Sequence, residues 1–363
     1  MLSQPIEAPI REKQPDRLLY PKWRSRIFAI TGMAVLLLLV IAFATSIGSV
    51  EIPFSTTLSI LVSKLPFIDI TPGWDDGIET IVWYIRLPRV ILAGLVGAAL
   101  ALAGATYQGL FRNPLADPYL IGVAQGAALG AVIGFLIPIG GTGAGMGLVP
   151  ILAFVGALLS VTIVYLLART GKIVPVTTLI LAGVALGALL GAIVAYLALT
   201  NGQILHGIMF WLSGSFSLSQ WSEVQIVLPI VVIGSAVILL FSRLLNVIQL
   251  DEEQAQQLGI NVERLKLMLL AVATMVTAAA VSFVGIIGFV GIITPHAVRL
   301  IWGPDYRFLL PLSLIGGAIF LILADIAART LIAPSEIPIG VITALCGAPF
   351  FLYLLRRRSK TLY

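Results

Sequence analysis

The chain has 363 residues, 59% hydrophobic and 11% charged, with a net charge of +5. A soluble domain of this length cannot hide so much apolar surface, so a globular enzyme in water is excluded and lipid is the implied solvent. The lone Cys346 lies inside an apolar run, which excludes a disulfide or a thiolate metal site and gives it the place of a small core hydrophobe.

Residues 1–26 are polar, contain proline and mix acids with bases, the wrong flanks for a cleaved leader; they form a cytoplasmic N-terminal tail. Apolar runs follow at 27–48, 90–111, 119–138, 148–168, 177–199, 224–245, 266–287, 289–301, 308–328 and 338–355. Runs of about 20 apolar residues cross a bilayer as helices, because no water is there to satisfy the backbone. The expectation is an all-α, polytopic membrane protein of about ten transmembrane helices, with 27–355 as one membrane domain and 356–363 as a basic cytoplasmic tail. The eighth run is too short to span without help from its neighbours.

Charge sets the orientation. All but four of the 22 basic residues fall in the termini and the even-numbered loops; the exceptions are Lys64, Arg86, Arg89 and Arg329. Basic residues collect on the cytoplasmic side, so both termini are placed inside. The positive charge thus reflects topology, and no nucleic-acid partner is implied.

Along the chain, residues 49–85 form the longest outer loop, and its prolines and acids predict an irregular, wet surface. Gly94, Gly97 and Gly104 in the second run, and Gly183, Gly187 and Gly191 in the fifth, make two small-residue stripes. Small residues let helices approach closely in lipid; the stripes serve packing within one subunit, or line a subunit interface or conduit. Two prolines break the chain at Arg112–Pro118, giving either a capped turn or a constriction at the inner mouth with Asn113 and Leu115 turned inward. In the outer segment 200–223, Trp211 and Trp221 suit an interfacial belt.

Leu250 to Lys266 is the one amphipathic inner loop. Leu250, Ala255, Leu258, Ile260 and Val262 offer apolar contacts, while Asp251, Glu252, Glu253 and Glu263 stay wet, which suits docking of a soluble partner. Asp325 stands four residues before Arg329, so a helical pair is available to neutralise a carboxylate that is costly in a span. Neither His206 nor His296 has companions at metal-ligand spacing.

Leu166 stands where a phosphate-binding GxxxxGK loop ending at Gly171-Lys172 would need glycine, so ATP hydrolysis by that route is excluded. An ion-coupled secondary carrier is the alternative from another class, but the spans hold almost none of the central ionisable residues such carriers use.

Five stretches in order, RLPR at 86–89, AGATYQGLFRNPLADPYLIG at 103–122, LILAGVALG at 179–187, GIIGFVGIITPHAVRL at 285–300 and LADIAARTLIAPSEIPIGVITALCGAPFFLYLL at 323–355, resemble the FecCD family. That family comprises permeases of ATP-binding-cassette importers for iron chelates, haem and vitamin B12. The resemblance implies a BtuC-like homodimer of ten-helix subunits with the path along the two-fold axis in the cytoplasmic (inner) membrane. It also implies a periplasmic or lipid-anchored substrate-binding protein outside and two ATPase subunits inside. ATP and magnesium belong to those ATPase subunits, and this chain binds no cofactor. The coupling segment would be 250–266, with Leu250, Asp251, Glu252, Ala255, Leu258, Gly259, Ile260 and Val262, and Leu258-Gly259 at the turn between two short helices. Arg86, Arg89 and Arg329 would be basic knobs for the binding protein. Asn113 and Leu115 would form the cytoplasmic gate with Val176, Thr177 and Thr178, although Thr177 and Thr178 could instead cap the helix that follows. An iron–siderophore complex is the expected cargo, with vitamin B12 or haem as alternatives.

Overall fold

A computed structural model describes residues 23–359 apart from 67, 69, 70, 138–143, 172, 250, 251 and 258; no strand is present among the described residues. The helices are α1 (Trp23–Ser46), α2 (Phe54–Ser63), α3 (Asp76–Thr80), α4 (Leu87–Phe111), α5 (Val123–Leu136), α6 (Ala144–Ala168), α7 (Val176–Thr200), α8 (Leu205–Leu212), α9 (Trp221–Leu240), α10 (Ser242–Ile248), α11 (Glu252–Gln257), α12 (Val262–Val284), α13 (Val290–Trp302), α14 (Tyr306–Thr330) and α15 (Ile339–Ser359). Each of the ten apolar runs becomes a helix or a helix with a short extension. The sixth run breaks at Phe241 into α9 and α10, and the third begins with a 3-10 turn, Pro118–Ile121. Among the described residues, seven helices are long and apolar enough to cross a membrane, with α5, α13 and α15 shorter.

Four expectations are corrected. The outer loop 49–85 is not irregular throughout: α2 lies in it, and α3 runs through a π-helical turn, Ile81–Arg86, directly into α4. Ile52, Ile60 and Val82 are buried together there, so apolar packing orders a stretch whose prolines suggested a loop. The C-terminal tail is helical through Ser359 rather than ending its helix at 355. Cys346 is exposed on α15, not in the core. Trp221 is half-buried and donates to the Trp83 carbonyl at 2.8 Å, so it is a packing anchor rather than a free belt residue.

α4 is the central mast, packed by α14, α12, α13 and α9. Its glycines explain this position. A methyl group at Gly97 would collide with the Gly317 carbonyl of α14, and one at Gly104 with the Gly291 carbonyl of α13. Backbones that close exclude any side chain, and lipid offers no other drive to bring helices together. α5 and α6 pack on each other in the same way, through Gly126, Gly130 and Gly156.

Candidate functional site: an inner mouth, its docking segment and an outer charge cluster

α4 terminates because Arg112 takes a left-handed conformation, φ 49°. The Asn113 side chain then accepts from the Leu115 N–H at 2.9 Å, closing a tight turn that leaves Leu115 exposed. Asp117 accepts from the Tyr119 N–H at 2.8 Å and so caps the 3-10 turn that leads to α5. The capped-turn reading of this stretch holds, and the turn presents an unburied apolar side chain.

The second mouth turn precedes α7. Pro175 occupies the N-cap position with no side-chain hydrogen bond, so the capping alternative for Thr177 and Thr178 is overturned. Val176 and Thr178 are half-buried and Thr177 is exposed.

The segment read from sequence as a docking surface comprises α11, the Gly259 turn and the start of α12. Leu250, Asp251 and Leu258 lie outside the described residues, as does the Glu252 side chain, although Glu252 begins α11. Gly259 has φ +81°, a conformation that strains any residue with a Cβ, and nothing else crowds it. A turn at Gly259 is present, but it joins the six-residue α11 to the 23-residue α12 rather than two short helices. Asn261 caps α12 by accepting from the Arg264 N–H at 3.1 Å. The apolar assignment needs correction. Ala255 and Val262 are buried and Ile260 packs against the core, so these side chains pin the segment to its own subunit. The face left outward carries Gln254, Gln256, Gln257, Gly259 and Asn261. An amphipathic pattern cannot say whether its apolar side meets self or partner, and here self wins.

Above the mouth, an open cavity of about 480 Å³ lies between α7 and the loop joining α12 to α13, lined among others by Tyr119, Gln125, Gly183, Gly187 and Phe289. Phe289 has φ 70°, left-handed for a bulky residue, which costs about 1–3 kcal/mol and persists only where surroundings enforce it. Here Phe289 presses on Gly347 of α15, where a Cβ could not be accommodated. Sequence reading missed this residue, since aromatic identity does not disclose backbone strain.

At the opposite end of α4, Arg86, Arg89 and Arg329 are brought together, but not as free knobs. Arg86 is 5% exposed and donates to the carbonyls of Thr45, at 3.3 Å, Ser46, at 2.6 Å, and Val50. Arg329 donates to Ala44 and Ile47, both at 2.7 Å. The two guanidiniums thus satisfy carbonyls at and just past the C-terminal end of α1 that no helical N–H can reach. Arg89 forms a fork to Asp325, at 3.0 and 2.8 Å, and a second fork to Glu336, at 2.7 and 3.0 Å. Asp325 also pairs with Arg329 at 3.4 Å, as the four-residue spacing predicted. Ser217 donates to Glu336 at 2.6 Å. Burial raises the Glu336 carboxyl, but hydrogen bonds from Arg89 and Ser217 outweigh it and hold the group below its ordinary value. Desolvated cations are costly unless paired, so this chain uses them internally. Asp325 and Glu336, 236 and 247 residues from Arg89, were invisible as its partners from spacing.

The family model of the FecCD transport family matches residues 36–357. The chain belongs to the FecCD transport family. Among its relatives, the cobalamin import system permease protein BtuC of Halobacterium salinarum is 50% identical, covering 79% of this chain and 76% of that one. The hemin transport system permease protein HmuU of Yersinia pestis is 38% identical over 91% of this chain and 96% of that one. A solved metal-chelate type ABC transporter in an inward-facing conformation superposes with a TM-score of 0.80 at 30% identity, covering 91% of this chain and 99% of that one. This FecCD protein is therefore a multi-pass membrane permease of an ATP-binding-cassette importer, not an enzyme; ATP hydrolysis is the work of a separate subunit.

Proposed function

We propose that two copies of this permease assemble in the cytoplasmic membrane, with both termini inside, and pass a large metal chelate along the axis between them. The observation that carries this reading is α7. It is apolar throughout, yet only 22% of its most apolar stretch is buried, and its uncovered side adjoins the 480 Å³ cavity. Two ATPase subunits, which hold ATP and magnesium, grip the outward polar face of 250–266. Movement of that segment opens and seals the mouth formed by Asn113, Leu115, Val176, Thr177 and Thr178 as rigid helices shift.

A substrate-binding protein, soluble or lipid-anchored, docks on the outer face. Of the three arginines, Arg89 is the one placed to exchange a partner, because its pair with Glu336 lies at the exposed edge of the cluster. Such pairs contribute to register and on-rate more than to affinity.

An iron–siderophore complex is the cargo proposed first, since relatives named for Fe(3+)-citrate and hemin transport align along most of this chain. The 50% identical relative named for cobalamin supports a corrinoid as the second reading. Uptake into proteoliposomes holding permease, ATPase and binding protein decides between them, using ferric siderophores, ferric citrate, haem and cobalamin in parallel. ATP-dependent accumulation of ferric siderophore is expected. Accumulation of cobalamin alone would overturn that cargo, and uptake abolished by a protonophore yet indifferent to ATP would favour an ion-coupled carrier.

A further inference from the structure

The docking segment is bracketed by two side chains that reach out of it in opposite chemical roles. On the entry side, Gln249 Nε2 donates to the Gly109 carbonyl at 2.7 Å. Gly109 belongs to the last turn of α4, three residues before the helix ends at Arg112 and passes into Asn113 and Leu115. On the exit side, Glu263 Oε2 accepts from the Val174 N–H at 3.3 Å. Val174 lies two residues before Val176, where α7 begins. Each end of the segment is thus tied to the backbone of one of the two mouth turns.

Local structure does not demand either bond. Glu263 sits in the first turn of α12, where a negative charge is favourable, but that accounts for its charge and not for its reach across 89 residues of sequence. The Gly109 carbonyl already receives the Arg112 N–H at 3.4 Å. Between the two ties, the ends of α4, α7 and α12 enclose a small apolar pocket lined by Leu110, Phe111, Val174, Val176, Glu263 and Lys266, among others. Packed side chains and directed hydrogen bonds therefore link Gln249 and Glu263 to the two turns.

We propose that Gln249 and Glu263 are positioning residues that carry movement of the docking segment to the mouth, Gln249 to the Asn113–Leu115 turn and Glu263 to the Val174–Thr178 turn. The proposal rests on the reading of 250–266 as the surface gripped by the ATPase.

Exchanging glutamate and glutamine tests it, because the same chemical swap has opposite consequences at the two positions. In E263Q an amide oxygen still accepts from Val174; in Q249E the donor is lost and a carboxylate faces a carbonyl. The complete complex of permease, ATPase and binding protein is reconstituted, and ATPase attachment, hydrolysis and uptake per ATP are measured. E263A and Q249E should each lower uptake per ATP about fivefold while attachment persists, and E263Q should keep most of it. If Q249E does not fold, Q249A removes the donor without adding charge and carries the same expectation. Unchanged uptake per ATP in E263A and Q249E, or a loss in E263Q as large as in E263A, overturns the proposal. Failure of the ATPase to cross-link to Gln256 of the parent complex would instead overturn the docking reading, and the proposal with it.

Discussion

α4 and α7 are both 25-residue helices, both apolar, carrying four and three glycines, yet they occupy opposite environments. In α4, 89% of the most apolar stretch is buried, against 22% in α7. The glycines show why. Gly97 and Gly104 face carbonyls of α14 and α13 at distances no side chain tolerates. In α7 only Gly183 does so, against Leu120; Gly187 meets no more than Gln125, and Gly191 faces open space. Apolarity places a helix in the membrane, but close backbone approach decides whether protein or something else lies beside it. One stripe is cement, and the other is left largely uncovered within the subunit, the face that the proposed function assigns to a second copy and the path.

The largest effect should come from exchanging the stripes. G104L drives a side chain into the α13 backbone, an overpacking cost of more than about 3 kcal/mol, and folded protein recovered from detergent should be nearly lost. G191L should be recovered at parental yield. Equal yields from both variants would break the comparison.

The second effect concerns what fastens the buried half. D325N strips the carboxylate from between Arg89 and Arg329, whose side chains are 13% and 6% exposed. Arg329 then loses its carboxylate and Arg89 keeps only Glu336, which should cost up to about 3–5 kcal/mol and lower the thermal midpoint in detergent. A midpoint within error of the parent would show that the cluster does not hold α14 to α4.

A third, smaller effect belongs to the docking turn. G259V must adopt φ +81°, a strain of about 1–2 kcal/mol. ATPase attachment should weaken, measured by co-purification, while the thermal midpoint stays close to the parent because nothing packs on that glycine. G259N should recover most of the attachment, since asparagine tolerates this conformation.

Much of this was legible in sequence. Ten apolar runs gave ten helical segments, and the Asp325–Arg329 spacing gave a true pair. What escaped was long-range. Nothing in the sequence couples Arg89 to Glu336, or tells that Arg86 would be consumed by carbonyls of α1. The docking segment misled in a different way: Ala255 and Val262 have the spacing of a contact face, and they make one, with their own subunit. A periodic pattern marks that a face is covered and leaves open by what.

The smallest effect is on pH. Glu336, in the loop before α15, and Asp305, at the start of α14, are both held below their ordinary values. At Asp305, as at Glu336, burial raises the carboxyl, but hydrogen bonds from Arg307 and Asn246 outweigh it. Their contributions are fully present above the unfolded value of about 4 and are lost only as pH falls through the lowered folded values. These two groups should therefore leave the midpoint unchanged from neutrality to about pH 5. E336Q should flatten part of the decline seen at more acid pH.

The uncovered face of α7 can be tested directly by cross-linking. With Cys346 replaced by alanine, G191C and Y196C are introduced singly into the complex with its ATPase, in membranes. The account predicts disulfide-linked dimers of the permease whose yield changes when ATP binds. Persistently monomeric chains at both positions, with and without nucleotide, would contradict it, leaving α7 facing lipid and the path elsewhere.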